Sequence, residues 1–124
     1  MQSTRNVISR GTRLWRGVTG IWMGLILIGS FIPAGGGGPN WAGWHVVGYA
    51  ILSALLARWL AAWPAGLLAW GYGAVVEAVQ WVLPTRNAEV GDLVANAAGV
   101  AVGLIATWAW PRLRRRYISS RTTS

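Results

Sequence analysis

Four long apolar stretches, separated by short breaks, set the limits on what this chain can become. They run at about 17–31, 44–63, 65–83 and 93–110, each 15 to 20 residues long. A surface helix of a soluble bundle needs a polar face, and these stretches have none. A helix rising ~1.5 Å per residue needs about 20 apolar residues to cross a ~30 Å hydrocarbon layer. The chain is 54% hydrophobic and only 11% charged, against roughly 25% charged in soluble domains. The reading is an all-α, polytopic membrane protein with four transmembrane helices. It divides into a basic tail at 1–13, a membrane domain at 14–110 and a second basic tail at 111–124.

The net charge of +8 would suggest nucleic acid if its distribution were ignored. Arg5, Arg10, Arg13 and Arg16 precede the first apolar stretch, and Arg112, Arg114, Arg115, Arg116 and Arg121 follow the last. The first linker is uncharged, and in the third Arg86 is balanced by Glu89 and Asp92. An arginine excess on both tails places both termini in the cytoplasm. Membrane lipids with anionic headgroups are then the expected partners of the tails, and nucleic acid is not. Tryptophans agree: Trp15, Trp59, Trp63, Trp108 and Trp110 fall at expected inner ends, Trp41, Trp44 and Trp81 at outer ends. Such belts mark the two membrane interfaces.

The remaining features are mostly structural. The chain has no cysteine, which removes disulfides and thiolate metal sites. The first apolar stretch is read as a retained helix rather than a cleaved signal. The glycine run at 35–38, between Pro33 and Pro39, lacks the Lys-Ser/Thr of a phosphate-binding loop and reads as a flexible outer turn. The second and third stretches together are too long for one span, so a reversal is expected near Trp63-Pro64-Ala65-Gly66, with Pro64 opening the third helix. Arg58 is expected inside the end of the second helix, snorkelling to headgroups. Gly20 and Gly24, like Gly99 and Gly103, have the small-xxx-small spacing that lets helices approach closely. Packing within the chain is expected for both pairs, with dimerisation the alternative. Both tails are expected to be poorly ordered.

Against this apolar background the polar residues stand out. With both termini inside, His45 lies near the outer start of the second helix and Tyr49 one turn deeper on the same face. Glu77 and Gln80 share a face near the outer end of the third helix. Asp92 and Asn96 form an i,i+4 pair at the outer start of the fourth. Three helices thus carry polar groups to one depth. A carboxylate such as Glu77 in hydrocarbon must be protonated, paired or wet, and intramembrane ionisable groups are functional candidates by default. His45, Glu77 and Asp92 are candidate proton donors and acceptors, and Arg86 suits bidentate grip of a phosphate or carboxylate. The structural alternative has Asp92 capping its helix and Gln80 and Asn96 acting as interhelical hydrogen-bond glue. One histidine with two carboxylates and no spaced ligand motif gives no expected metal site, and no cofactor is expected.

These residues resemble the VanZ-like family of small bacterial membrane proteins. The resemblance rests on His45 followed by Tyr49, on Glu77, Gln80, Pro84 and Arg86 in a Glu-x-x-Gln-x-x-x-Pro-x-Arg pattern, and on Asp92, Asn96, Gly99 and Gly103 in Asp-x-x-x-Asn-x-x-Gly-x-x-x-Gly. It covers about residues 41–104. Two positions depart: Trp41 and Ala42 stand where members often carry an Asp-Lys pair, and Val76 where an acidic residue often precedes the glutamate. The resemblance implies a multi-pass protein of the bacterial cytoplasmic membrane with a cell-envelope role linked to glycopeptide (teicoplanin-type) resistance, without supplying a reaction. The expected site faces outward and recognises an amphiphilic, lipid-linked envelope molecule. His45, Glu77 and Asp92 would handle protons, while Arg86, Gln80, Asn96 and Tyr49 would bind. The alternative is a non-catalytic membrane scaffold or partner-binding module.

Overall fold

The computed structural model describes residues 2–31, 41–82 and 90–121, with side chains described over 10–31, 43–82 and 90–115. These form four α-helices: α1 (Gln2–Phe31), α2 (Trp41–Leu56), α3 (Ala62–Val82) and α4 (Val90–Arg121). Two are long and apolar enough to cross a membrane, over Arg10–Phe31 in α1 and Val90–Arg115 in α4, and Gly43–Leu56 is a shorter apolar helix.

The bundle is built on α2 and α4, which share the most extensive contact, with α3 packed against both. Two glycines allow this closeness. A Cβ at Gly99 would run into the backbone of Val46, and one at Gly103 would run into the Ala50 carbonyl and the Ser53 hydroxyl. Glycine inside a helix costs about 1 kcal/mol relative to alanine. Here it lets two backbones come into direct van der Waals contact, the usual source of helix affinity where no hydrophobic effect separates helix from lipid. Ser53 Oγ is 3.1 Å from the Ala50 carbonyl of its own helix and 3.2 Å from the Val100 carbonyl of α4, so its one proton serves both. Beside this seam lies a small core of Tyr49, Leu52, Leu56, Ala65, Ala69 and Val100.

Helix α1 contacts α2 and α3, on the side away from α4, and polar ties hold it. Trp22 Nε1 donates to the Gly48 carbonyl (3.0 Å), Tyr72 Oη to the Met23 carbonyl (2.7 Å) and Gln80 Nε2 to the Ser30 carbonyl (2.7 Å). The last satisfies one of the carbonyls that the C-terminal turn of a helix leaves without an intrahelical donor. A Cβ added at Gly20 or Gly24 would meet no atom within 4 Å, so the expected packing of this pair within the chain is not what holds α1. Spacing alone does not distinguish it from Gly99 and Gly103. Direction does, because α1 turns its tryptophan and its carbonyls to the bundle instead.

Three local expectations need correction. The reversal between α2 and α3 comes earlier than Pro64, in a tight turn over 57–60 closed by Leu60 N to the Leu56 carbonyl at 2.9 Å. Ala65 N makes the first bond of α3, to the Ala61 carbonyl, so Pro64 lies among the opening residues whose N–H groups have no intrahelical acceptor, and its missing proton costs nothing. Arg58 accordingly sits in the turn, exposed, and needs no snorkelling. Both tails are largely helical: α1 begins at Gln2, and α4 continues past Pro111 to Arg121. Arginine is a good helix former, and these tails contain little that stops a helix already running.

The bundle is apolar outside, and polar side chains share its interior with the small apolar core. Ile21, Leu67, Trp81, Val90, Val94 and Ile105 are all more than half exposed, whereas His45, Ser53, Gln80, Asp92 and Asn96 are buried. That departs from the soluble arrangement, in which buried polar residues are the exception.

Candidate functional site

Five of the buried polar residues, Ser30, His45, Gln80, Asp92 and Asn96, gather at one end of the bundle, while Thr19 and Ser53 lie farther along it. Helix α2 starts there, α3 ends there, α4 starts there, and the Gln80–Ser30 bond puts the end of α1 there too. His45, one turn into α2, reaches across to α4. Its Nδ1 lies 2.9 Å from Asn96 Oδ1, and its Nε2 is 3.8 Å from Asp92 Oδ2. With the carboxamide oxygen toward the ring, which can only accept, the tautomer that satisfies this contact is the one with its proton on Nδ1. A neutral ring in that tautomer turns its Nε2 lone pair toward a carboxylate. The contact with Asp92 therefore becomes attractive when a proton lies on Nε2 or on the carboxyl group. Asp92 sits in the first turn of α4, where the helix dipole favours negative charge.

Beneath this bridge lies Tyr49. Its ring is stacked on His45, with centroids 6.3 Å apart and planes 8° from parallel, a contact that the i,i+4 spacing allows. Gly73 of α3 forms the floor. A Cβ there would stand 2.8 Å from Asn96 Nδ2 and 2.9 Å from Tyr49 Cε1, so any larger residue would push one of these side chains aside. Asn96 is 1% exposed, and its Nδ2 has no hydrogen-bond partner among the described residues. A buried donor without an acceptor costs about 1–3 kcal/mol, so this donor is held ready in a site otherwise tightly closed. Glu77, one turn above Gly73, is partly buried and close enough to interact electrostatically with the Tyr49 phenol.

The structure thus brings His45, Asp92, Asn96 and Tyr49 into direct contact, with Glu77 at their edge. Gln80 does not join them; its amide turns to α1 and ties Ser30. Arg86 and Pro84 lie outside the described residues. Among the described residues, no three His, Asp or Glu side chains converge as metal ligands. Gly73 was missed in the sequence. The available signal was a helix-interior glycine one turn before Glu77, on the stripe Ala65, Ala69, Gly73, Val76 and Gln80 that α3 buries. Compared with protein-family models, curated proteins and solved structures, the chain matches none of them.

The site's chemistry is that of proton handling within a buried hydrogen-bonded cluster. An imidazole held by an amide on one nitrogen and facing a carboxylate on the other can pass a proton between Nε2 and a group placed beside Asp92. The tyrosine and the amide orient the ring.

Proposed function

We propose that the protein is a four-span, VanZ-like protein of the bacterial cytoplasmic membrane, with both termini in the cytoplasm. Its polar end faces outward and recognises an amphiphilic cell-envelope molecule, with His45 and Asp92 moving a proton to or from the bound head group. The observation that carries this reading is the buried bridge Asp92–His45–Asn96, which ends in an amide donor with no acceptor among the described residues. An apolar exterior and an arginine excess at the opposite end support membrane insertion in this orientation. The VanZ-like spacing of His45, Tyr49, Glu77, Gln80, Arg86, Asp92, Asn96, Gly99 and Gly103 supports the envelope role. A lipid-linked precursor or a lipid-tailed glycopeptide would meet the site in the outer leaflet, its head group at the polar cluster and its chain along the exposed apolar face.

One observation favours a second reading for part of the set. Gln80 donates to a backbone carbonyl of α1, as interhelical glue does, so it belongs to the scaffold in either case. The test is a paired measurement of membrane abundance and teicoplanin sensitivity in cells carrying Asp92→Asn, Glu77→Gln or Arg86→Lys. A site that needs charge loses the phenotype at full abundance. Abundance and phenotype falling together would make the cluster a folding network and remove the proposed role. Extracted envelope lipids from cells with and without the protein identify the molecule.

A further inference from the structure

At the other end of the bundle, arginine and tryptophan are crossed. Trp15 and Arg16 of α1 meet Arg58 and Trp59 of the α2–α3 turn reciprocally: the Arg58 guanidinium lies 4.6 Å from the Trp15 ring centroid, and that of Arg16 lies 5.3 Å from the Trp59 ring. Trp59 Nε1 adds a long contact to Thr19 Oγ1 at 3.5 Å. Such stacking uses the face of a guanidinium and leaves its N–H edge available. No carboxylate among the described residues stands at this end: Glu77 lies near the end of α3 and Asp92 at the start of α4, both at the opposite end. Arg10, Arg13, Arg16, Arg58, Arg112, Arg114 and Arg115 all lie on the basic side, so their counter-charge must come from outside the bundle.

Beside Arg58 the turn and α4 border a shallow, open cleft of about 400 Å³, lined by Ala57, Arg58, Ala106, Thr107, Trp110 and Pro111. That volume is within the ~300–1,000 Å³ of small-ligand sites. Its lining is mostly apolar, with one guanidinium and one hydroxyl, and Ile105 and Trp108, the chain neighbours of Ala106 and Thr107, are exposed. A free anion would find too little polar surface there, and a nucleic acid would find no basic groove.

We infer that this cleft binds one anionic phospholipid. Its phosphodiester meets the N–H edge of Arg58, held in place by Trp15, and its acyl chains run along the apolar face of α4. The site is distinct from the polar cluster and does not depend on the function proposed for it.

Native mass spectrometry of the full chain in detergent, titrated with phosphatidylglycerol or phosphatidylcholine, tests the inference. Phosphatidylglycerol is expected to be retained in preference, with one lipid bound most tightly. Arg58→Gln should weaken that retention by about tenfold, the loss of a charge-assisted hydrogen bond, while Arg114→Gln, the same change of charge away from the cleft, should alter it less than about twofold. Ala106→Trp fills the cleft at an exposed position, leaves every arginine in place and should also expel the lipid. Helicity by circular dichroism confirms that each variant is folded. Equal retention of the two lipids, equal loss in Arg58→Gln and Arg114→Gln, an unaffected Ala106→Trp variant, or displacement of the lipid by millimolar inorganic phosphate would each overturn the site.

Discussion

His45 Nδ1 and Asn96 Oδ1 stand 2.9 Å apart across the tightest helix seam in the molecule, although 51 residues separate them in the chain. The bond is possible because Gly99, three residues beyond Asn96, brings α4 against the backbone of Val46. The close packing of α2 on α4 and the assembly of the polar cluster are thus one event. Asp92, one turn before Asn96, completes the bridge from the same helix.

Removing either partner should therefore leave the other stranded. Asn96→Ala and His45→Ala are each expected to destabilise the protein by about 1–3 kcal/mol, since each leaves a buried polar group unsatisfied. The double variant should lose less than the sum, with a coupling of about 0.5–3 kcal/mol. Unfolding of purified protein in mixed micelles supplies all four corners of the cycle, and strict additivity would mean that the 2.9 Å contact contributes nothing.

The glycines separate by what surrounds them. Gly103→Ala forces a methyl group into the Ala50 carbonyl and Ser53 hydroxyl and is expected to cost about 1–3 kcal/mol as α2 and α4 move apart. Gly24→Ala meets no atom within 4 Å and should be neutral or stabilising by up to about 1 kcal/mol, the helix-propensity gain. Thermal unfolding of the two variants side by side distinguishes them. A marked loss in Gly24→Ala would reveal a second copy of the chain packed on α1.

Gln80→Met tests whether the glue and the site are separable. It keeps the volume and removes the donor to the Ser30 carbonyl. Interhelical hydrogen bonds in membranes contribute about 0.6 kcal/mol on average and at most about 1.7, so the expected effect is a small loss of stability with the envelope phenotype intact. A lost phenotype at normal abundance would return Gln80 to the binding residues.

The orientation is open to direct labelling, because the chain has no native cysteine. Single cysteines at Gly36 and Ala88 should react with an impermeant thiol reagent on intact cells, and one at Ser119 should react only after lysis. The opposite pattern would place the polar cluster on the cytoplasmic side.

How much of this could be read from the chain differs by feature. Pairs one helical turn apart, His45 with Tyr49 and Asp92 with Asn96, were legible because helix geometry alone puts them on one face. The Gly99–Gly103 approach was legible in kind, but the identical spacing of Gly20 and Gly24 shows that such pairs do not say what they face. The end of α2 was hidden, since Ala57 to Trp63 stays largely apolar and carries no glycine, asparagine or aspartate to mark a turn. Pro64 drew attention to a break that had already occurred. Gly73 and the crossed Trp15–Arg16 and Arg58–Trp59 pairs needed the structure, because each depends on which helices become neighbours. Arg86 lies outside the described residues, so its place relative to the cluster rests on the spacing Pro84-x-Arg86 alone.

The order of synthesis gives the glycine seam a further consequence. Translation yields α1, α2 and α3 before α4, with His45, Tyr49 and Ser53 on the face that α4 will cover. Until residue 103 has left the ribosome, those groups have neither Asn96 nor the Val100 carbonyl to meet. Helix α4 both closes the bundle and completes its chemistry, so a nascent chain interrupted before it carries three helices with one face of α2 still uncovered. Asn96, Gly99 and Gly103 therefore act on the bundle together, in the single step that seats α4 against α2.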